Sequence, residues 1–576
     1  MASHLRDGNG TLTADDAEKA KLLNNAFATK FADPTVNALP AAPAHPLDTL
    51  PRFIVTESAV RAALLELSPN KACGPDNFSA KIILECIDEL VSPLTKICTK
   101  SVNSGEFPNA WKEANIIPLF KKGDRKNPLN YRSISLISLF GKILEKIVHD
   151  QIYRHVSPAL CTEQHGFIPR KSCNSNLAVY LCSAWETMRE GYQTDAIYTD
   201  FSSAFQSVNH KLLVHKLEKS FHFKDSALQW FVSYLSGRRQ RVVVNGKTSE
   251  WITVTSGVPE GSLLAPLAFA LFINDLPGNL TSDCLLYADD QKIYRKITAP
   301  CDAQLLQEDL DRLQRWCTAW GLTLNPSKCK AFTMTLRRKP VQTTYKIGGT
   351  VLESVSSIRD LGITLDSKLT FSDHVSTVVG QANRALGLLI RTFQTGSKGA
   401  KFNSKSLLTA YYANVRSILE YGAVVWAGAA TSHTVRVDRV QHKFLLWLNH
   451  HTSNPCHSLS YLALSRHYQV PFLSSRRVQY DLLFLKGLFT GKIDSAELLE
   501  KFSLHVPPRL TRTRPLFAES FARIRAVQSG LLCRLARETN MLLAKTGCDF
   551  FNLGFGAYKG CVTKYVYGLP PPPGHS

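Results

Sequence analysis

Two adjacent carboxylates, Asp289 and Asp290, stand between apolar runs in Leu285-Leu286-Tyr287-Ala288-Asp289-Asp290-Gln291-Lys292-Ile293-Tyr294. Apolar segments on both sides of a polar pair predict a hairpin with buried arms and the acids at its turn. Side by side the two acids repel and drive each other toward protonation, unless a hard divalent cation holds both as anions. A third acid, Asp200, ends the strand-like run Ala196-Ile197-Tyr198. An acid at a strand end and a pair at a hairpin tip suit a two-metal phosphoryl transfer, in which cations roughly 3.5–4 Å apart bridge the attacking and leaving oxygens. The ordinary alternatives are a solvated Asp-Asp turn and, for Asp200, a helix cap ahead of Ala204-Phe205.

Elements able to position these acids recur along the chain. Val55 to Leu67 and Ile82 to Ser104 read as helices, and Ile116 to Phe120 as a strand opening onto Lys121, Lys122, Arg125 and Arg132. Helices fill Lys211 to Ser236, the strand Val242-Val243-Val244 meets an Asn245-Gly246 hairpin turn, and Pro266 to Leu276 is an apolar helix. Leu306, Leu310, Leu313, Trp316 and Trp320 make one helical face closed by Gly321. Gly257 and Gly261 bracket Pro259-Glu260, where small residues would let a bound molecule approach the backbone.

The 576 residues, 44% hydrophobic, supply enough apolar material for large cores. A net charge of +21 points to a polyanionic partner, nucleic acid ahead of an acidic membrane. From Ser376 onward 25 Lys and Arg face 9 Asp and Glu, so the basic character is concentrated beyond the acids. The fourteen cysteines include no Cys-x-x-Cys pair, and zinc is not expected; Cys456-His457 with His450, His451 and His467 is the one ligand-like group. Thiols among apolar neighbours suit a reducing intracellular compartment. No membrane span is expected: Leu263 to Ile273 is too short, and Arg416 and Glu420 interrupt Tyr411 to Ala430.

Six ordered blocks over roughly residues 60 to 370 carry a family resemblance. They are Leu67 to Asp76, Trp111 to Ile147, Gln164 to Cys173, Thr199-Asp200-Phe201, Ser256 to Leu267, and Tyr287-Ala288-Asp289-Asp290. Together they resemble the reverse transcriptases of non-LTR retrotransposons of the jockey and chicken-repeat type. The resemblance implies an α+β right-hand polymerase: basic fingers, a palm whose antiparallel sheet carries Asp200 and Asp289, and a helical thumb, followed by a mainly helical basic C-terminal region. It implies an RNA template, a DNA primer and deoxynucleoside triphosphates, with two Mg²⁺ ions (Mn²⁺ a possible substitute) at Asp200, Asp289 and Asp290.

The same resemblance assigns Arg132 and Lys121 to the triphosphate, and Glu260 and Gly261 to the nucleotide pocket. Phe205 becomes a steric gate against a ribose 2′-hydroxyl, with a core aromatic as the alternative. Lys328, in Asn325-Pro326-Ser327-Lys328, becomes a proton donor to the leaving pyrophosphate, with a surface lysine as the alternative. Arg170 and Lys171 are assigned to the template backbone, and Gly362, in Leu361 to Asp366, to a strand pair that grips the primer.

Several positions depart from the pattern. Ser203 stands where the family has Lys, Gln206 where it has Asp, Glu260 where it has Gln, Ala265 where it has Gly, and Ser133 where it has Pro. Glu260 matters most, because a carboxylate cannot donate and adds negative charge beside a triphosphate. A weakened or inactive remnant acting only as an RNA-binding protein is therefore the alternative function. The expected organisation is an N-terminal helix and Pro/Ala-rich linker over 1–52, fingers and palm over 53–375, a thumb over 376–450, and a basic region with a Pro-rich tail over 451–576. The endonuclease carried upstream in such elements is not seen, so a fragment or truncated copy is expected.

Overall fold

The strand Gln193–Thr199 is buried along almost its whole length and forms the centre of a five-stranded sheet. A computed structural model describes residues 4–7, 10–32, 35–36, 38–394, 402–505, 515–519, 528 and 530–568. The sheet order is Glu353–Val355, Lys330–Thr335, Gln193–Thr199, Asp290–Ile297, Asp283–Tyr287, and the central strand runs antiparallel to both neighbours. Ile197 lies opposite Ile293 and Thr199 opposite Gln291. Strand alternation sends Ile197, Ile293 and Leu286 into one core with Trp230, Phe272 and Trp320. It sends Ala196, Tyr294 and Phe332 into a second core with Tyr180, on the helix Cys173–Arg189.

A second sheet carries the basic hairpin. Glu113–Phe120 and Tyr131–Ile137 pair antiparallel, and Glu113–Phe120 also pairs parallel with Arg239–Val244. That third strand turns at Asn245-Gly246, both left-handed (φ +46° and +83°), as the hairpin signal requires.

The N-terminal helix expected within residues 1–52 covers Asp16–Ala28, and Asp33-Pro34, a helix-breaking pair after it, lies outside the described residues. Its Ala20, Leu23 and Phe27 pack on Ile116, Tyr131 and Val242, so it is a layer of the second sheet. The Pro/Ala stretch that follows is extended but bound. His45 N donates to Ser220 O (3.1 Å) and Leu50 N to His222 O (3.0 Å), which straps it along the end of the helix His210–Phe221. The helix expected over Ile82 to Ser104 is two, Ala80–Glu85 and Ile87–Ser104, separated by a non-helical Cys86.

From Ser372 onward the described residues are mainly helical, and many of their aromatic side chains face inward. Trp426, Phe444 and Trp447 are core residues, so the basic residues between them are the outer face of amphipathic helices. Buried ion pairs, Arg477 with Asp438 (3.3 Å) and Arg534 with Asp481 (2.7 Å), tie these helices together. Of the basic region expected over 451–576, Arg509, Arg512, Arg514, Arg523 and Arg525, and the Pro-rich tail Leu569 to Gly574, lie outside the described residues. Among the described residues no helix is long and apolar enough to cross a membrane.

Candidate active site

Asp200 is the first residue beyond the central strand, and Asp290 the first of its neighbour Asp290–Ile297. Because Thr199 pairs with Gln291, the next step of the register sets Asp200 against Asp290. Ala288 and Asp289 make the two-residue hairpin tip, with Ala288 left-handed at φ +59°. Asp200 and Asp290 line an open cleft of about 280 Å³ with Lys292, Lys328 and Asp360. Partial removal from water, then the negative charges of Asp289, Asp360 and Asp200, push the Asp290 carboxyl up to about 6 against the pull of Lys292. The three expected acids therefore share one electrostatic field. Asp289 also acts on the other side, where its charge raises Glu260.

Three carboxylates offer the hard oxygen donors that Mg²⁺ or Mn²⁺ takes, and an ion there relieves the repulsion that raises Asp290. As they stand, Asp200 is neutralised by Lys328, whose Nζ is 2.8 Å from Oδ2. Asn325 N donates to Asp200 O (2.8 Å), which fixes the turn carrying that lysine. Among the described residues no three Asp, Glu, His or Cys side chains are drawn together closely enough to hold an ion in this arrangement.

The hairpin is held from beneath by the block Gln164 to Asn176. Gln164 Oε1 accepts from Gly166 N (2.8 Å) and Ala288 N (3.1 Å), and Asn176 Nδ2 donates to Leu286 O (3.1 Å). A Cβ at Gly166 would lie 2.3 Å from Ala288 N, so only glycine lets the two backbones meet. On the cleft wall Lys292 is ion-paired with Asp360, which also accepts from Tyr198 OH (3.0 Å). That buried group joins the acid-bearing strand to the strand pair Ser357–Asp360 and Ile363–Asp366.

The expected nucleotide residues gather around Glu260. Its Oε1 accepts from Gln206 Nε2 (2.9 Å) and its Oε2 from Ser133 Oγ (3.4 Å). Ser133, Gln206 and Glu260, three of the positions expected to depart from the family pattern, are thus one hydrogen-bonded cluster. Burial raises the Glu260 carboxyl, while Arg132 and Lys30 pull it down. Arg132 and Lys121 are exposed. Phe205 is half-buried and stacks on Phe269 with centroids 4.7 Å apart. At Gly261 (φ +102°) a Cβ would meet Ser135 O at 2.6 Å, and at Gly257 it would meet Gln206 Cα at 2.7 Å. The glycines that the sequence suggested were left small for template or nucleotide are needed first by the protein's own backbone.

The expected template and primer residues lie where the C-terminal helices dock. Arg170, left-handed at φ +66°, is paired with Asp494 at 3.2 Å, and Asp494 N donates to Arg170 O (3.0 Å). Lys171 Nζ donates to Thr162 O. Gly362 (φ +89°) is in the turn between the two strands, where Tyr421 OH donates to Leu361 O (2.9 Å) and leaves no room for a Cβ.

Sequence reasoning missed Gln164 and Asn176 as supports, the Lys292–Asp360 pair, and Lys30. A period of two from Asp290 places Lys292 on its face, so that residue had a signal. Lys30 had none, because its neighbours come from the strand Tyr131–Ile137 and the loop at Glu260.

Residues 120–365 match the family described as reverse transcriptase (RNA-dependent DNA polymerase). The chain is 30% identical over 414 residues to the RNA-directed DNA polymerase from mobile element jockey of Drosophila melanogaster, covering 69% of this chain and 44% of that protein. It is 27% identical over 469 residues to the probable RNA-directed DNA polymerase from transposon BS of Drosophila melanogaster, covering 76% of this chain and 50% of that protein. The probable RNA-directed DNA polymerase from transposon X-element is 26% identical over 396 residues, covering 67% of this chain and 43% of that protein. The chain thus spans about half the length of the relatives it matches. With its acids on a mixed α/β scaffold inside the matched segment, the chain carries a reverse transcriptase domain of the non-LTR retrotransposon kind.

Proposed function

We propose that the chain is an RNA-directed DNA polymerase of a non-LTR retrotransposon, adding deoxynucleotides to a DNA primer 3′-hydroxyl on an RNA template. The observation that carries this reading is that Asp200 and Asp290 line one cleft and that the charges of Asp200 and Asp289 both act on Asp290, within the matched segment. In a right-hand description, the sheet centred on Gln193–Thr199 is the palm, the basic hairpin with its helices the fingers, and the helices after Ser372 the thumb.

Asp200, Asp289 and Asp290 would hold divalent cations, two Mg²⁺ by the family's chemistry. Bound there, the ions would favour the ionised 3′-hydroxyl and offset charge on the leaving pyrophosphate. Arg132 and Lys121 bind the triphosphate as exposed cations on a hairpin that can close over it. Lys328, ion-paired with Asp200, would give a proton to the leaving group. Phe205, braced by Phe269, limits space at the sugar. The turn at Gly362, joined to the acids through Asp360 and Lys292, positions the primer end. Such a chain acts with its RNA, in the nucleus or in a ribonucleoprotein particle.

Primer extension on an RNA template with Mg²⁺ tests this directly. The unmodified chain should extend, and Asp289→Ala should not. RNA binding without extension by the unmodified chain would select the non-catalytic remnant instead.

A further inference from the structure

We propose that Lys30, from the N-terminal segment, is a third cation of the triphosphate site beside Lys121 and Arg132. This rests on the polymerase reading and extends it to a part of the chain outside the segment matched by the family.

The geometry begins with the helix Asp16–Ala28, which is seated too firmly to be an appendage. Asn24 Nδ2 donates to Ser249 Oγ and Glu250 O (both 2.9 Å), and its Oδ1 accepts from Gln240 Nε2 (3.1 Å). After the helix the chain coils back, with Lys30 N donating to Phe27 O and Phe31 N to Ala28 O. Ala32 N then donates to Ser256 Oγ (2.7 Å), which itself donates to Gln206 O (2.7 Å). Lys30 is thereby held between the strand that carries Arg132 and the loop that carries Glu260. Its Nζ lies over the Phe27 ring, 5.2 Å from the centroid, and donates to Tyr131 O (3.3 Å), one residue before Arg132.

The charges around it are unbalanced. Lys121 and Arg132 both act on Lys30 as like charges, and Glu260 is the acid that offsets them. Arg132 is the stronger of the two cations acting on Glu260, so that carboxylate does not depend on Lys30 for its counterion. Three cations against one half-buried acid leave positive charge in excess, at a place that also feels Asp289. A ligand that relieves this must carry several negative charges and reach toward the acids, which is the chemistry of a polyphosphate. Among the described residues Nζ makes a single hydrogen bond, to a carbonyl, so two of its three protons remain for phosphate oxygens. An ammonium suits this place, because it binds phosphate as a point charge without needing a fixed planar approach.

The test uses the full chain with an RNA template and DNA primer. Lys30→Met keeps an unbranched side chain beside Phe27 and removes the charge. It should raise KM for a deoxynucleoside triphosphate about tenfold, as loss of a charge-assisted contact does, with kcat and primer-template affinity little changed. Lys30→Arg should restore most of the loss. A readout independent of polymerisation is acetylation of Lys30 followed by mass spectrometry, with inorganic tripolyphosphate as the protecting probe. Protection of Lys30 by tripolyphosphate supports the site even if the chain extends no primer, in which case only the polymerase reading fails. Extension with an unchanged KM in Lys30→Met, or acetylation indifferent to tripolyphosphate, overturns the proposal.

Discussion

Gln164 and Ala288, 124 residues apart in sequence, are joined by a buried hydrogen bond of 3.1 Å from the Ala288 amide to Gln164 Oε1. Ala288 is the left-handed residue immediately before Asp289, so this bond sets the conformation from which the acid projects. Gln164→Ala leaves the amides of Gly166 and Ala288 without their acceptor, a cost of about 1–3 kcal/mol for a buried group. Extension should fall at least about tenfold in kcat, since small displacements of catalytic groups are expensive, with RNA affinity unchanged. Steady-state extension and thermal unfolding of the variant check both parts; undiminished kcat would remove this support role.

Divalent-ion binding should depend on pH through Asp290. Its carboxyl, raised to about 6 from 3.8, keeps a proton in the folded chain that the unfolded chain has released. The group's contribution to stability therefore falls as pH rises from about 4 through 6, and is constant above. A cation binds the anionic form, so Mg²⁺ should raise the melting temperature more at pH 7.5 than at pH 5. Asp290→Asn should flatten that difference. Melting curves with and without Mg²⁺ at the two pH values decide it; an equal shift at both would contradict the assignment.

Glu260 places a carboxylate among the cations assigned to the triphosphate. Glu260→Gln keeps an oxygen for Gln206 Nε2 and removes the charge, so nucleotide KM should fall by about threefold or more on the Coulomb scale for nearby charges. Combined with Lys30→Met, it should give a non-additive effect if both act on one ligand. Nucleotide titrations of the two single variants and the double variant measure this, and an unchanged KM for Glu260→Gln would show that the charge does not reach the triphosphate.

Arg170 is paired with Asp494 at the surface, and such pairs contribute only about 0–1 kcal/mol to stability. Asp494→Asn should therefore leave the melting temperature nearly unchanged. If Arg170 contacts the template backbone, freeing it should tighten RNA binding and steepen the salt dependence by about one ion. Binding isotherms across a salt series test this, and an identical slope would confine Arg170 to domain docking.

Lys216 is buried against Trp320, 3.5 Å from the ring centroid, and paired with Asp275 at 2.7 Å. Lys216→Met strands Asp275 and should cost about 3–5 kcal/mol, whereas Lys216→Met with Asp275→Leu should recover much of it. Burial lowers the Lys216 amine to about 8, against the opposing pull of Asp275. Between about pH 8 and 10.5 the unfolded chain alone holds this proton, so the group's contribution to stability rises with pH there and is absent from the double variant. Chemical denaturation at pH 7 and pH 9.5 measures both effects.

Much of this architecture was legible because local pattern and physics agreed. Apolar arms around Asp289-Asp290 specify one hairpin, Asn245-Gly246 specifies the turn of another, and the face Leu306 to Trp320 specifies a helix. Trp426, Phe444 and Trp447 were less legible, since an aromatic between basic residues fits a core or a nucleic-acid surface equally well until its neighbours are known. Glu260 looked like damage in isolation and has partners in Gln206 and Ser133, 54 and 127 residues away.

The sequence by itself determined residue types, their local periodicity, and which acids stand at strand ends, because those depend on neighbours along the chain. Only the tertiary structure decided what each charge faces: Lys328 on Asp200, Lys292 on Asp360, Arg170 on Asp494, and Lys30 beside Arg132 and Glu260. Electrostatic energy depends on distance and burial through space, and separation along a folded chain fixes neither.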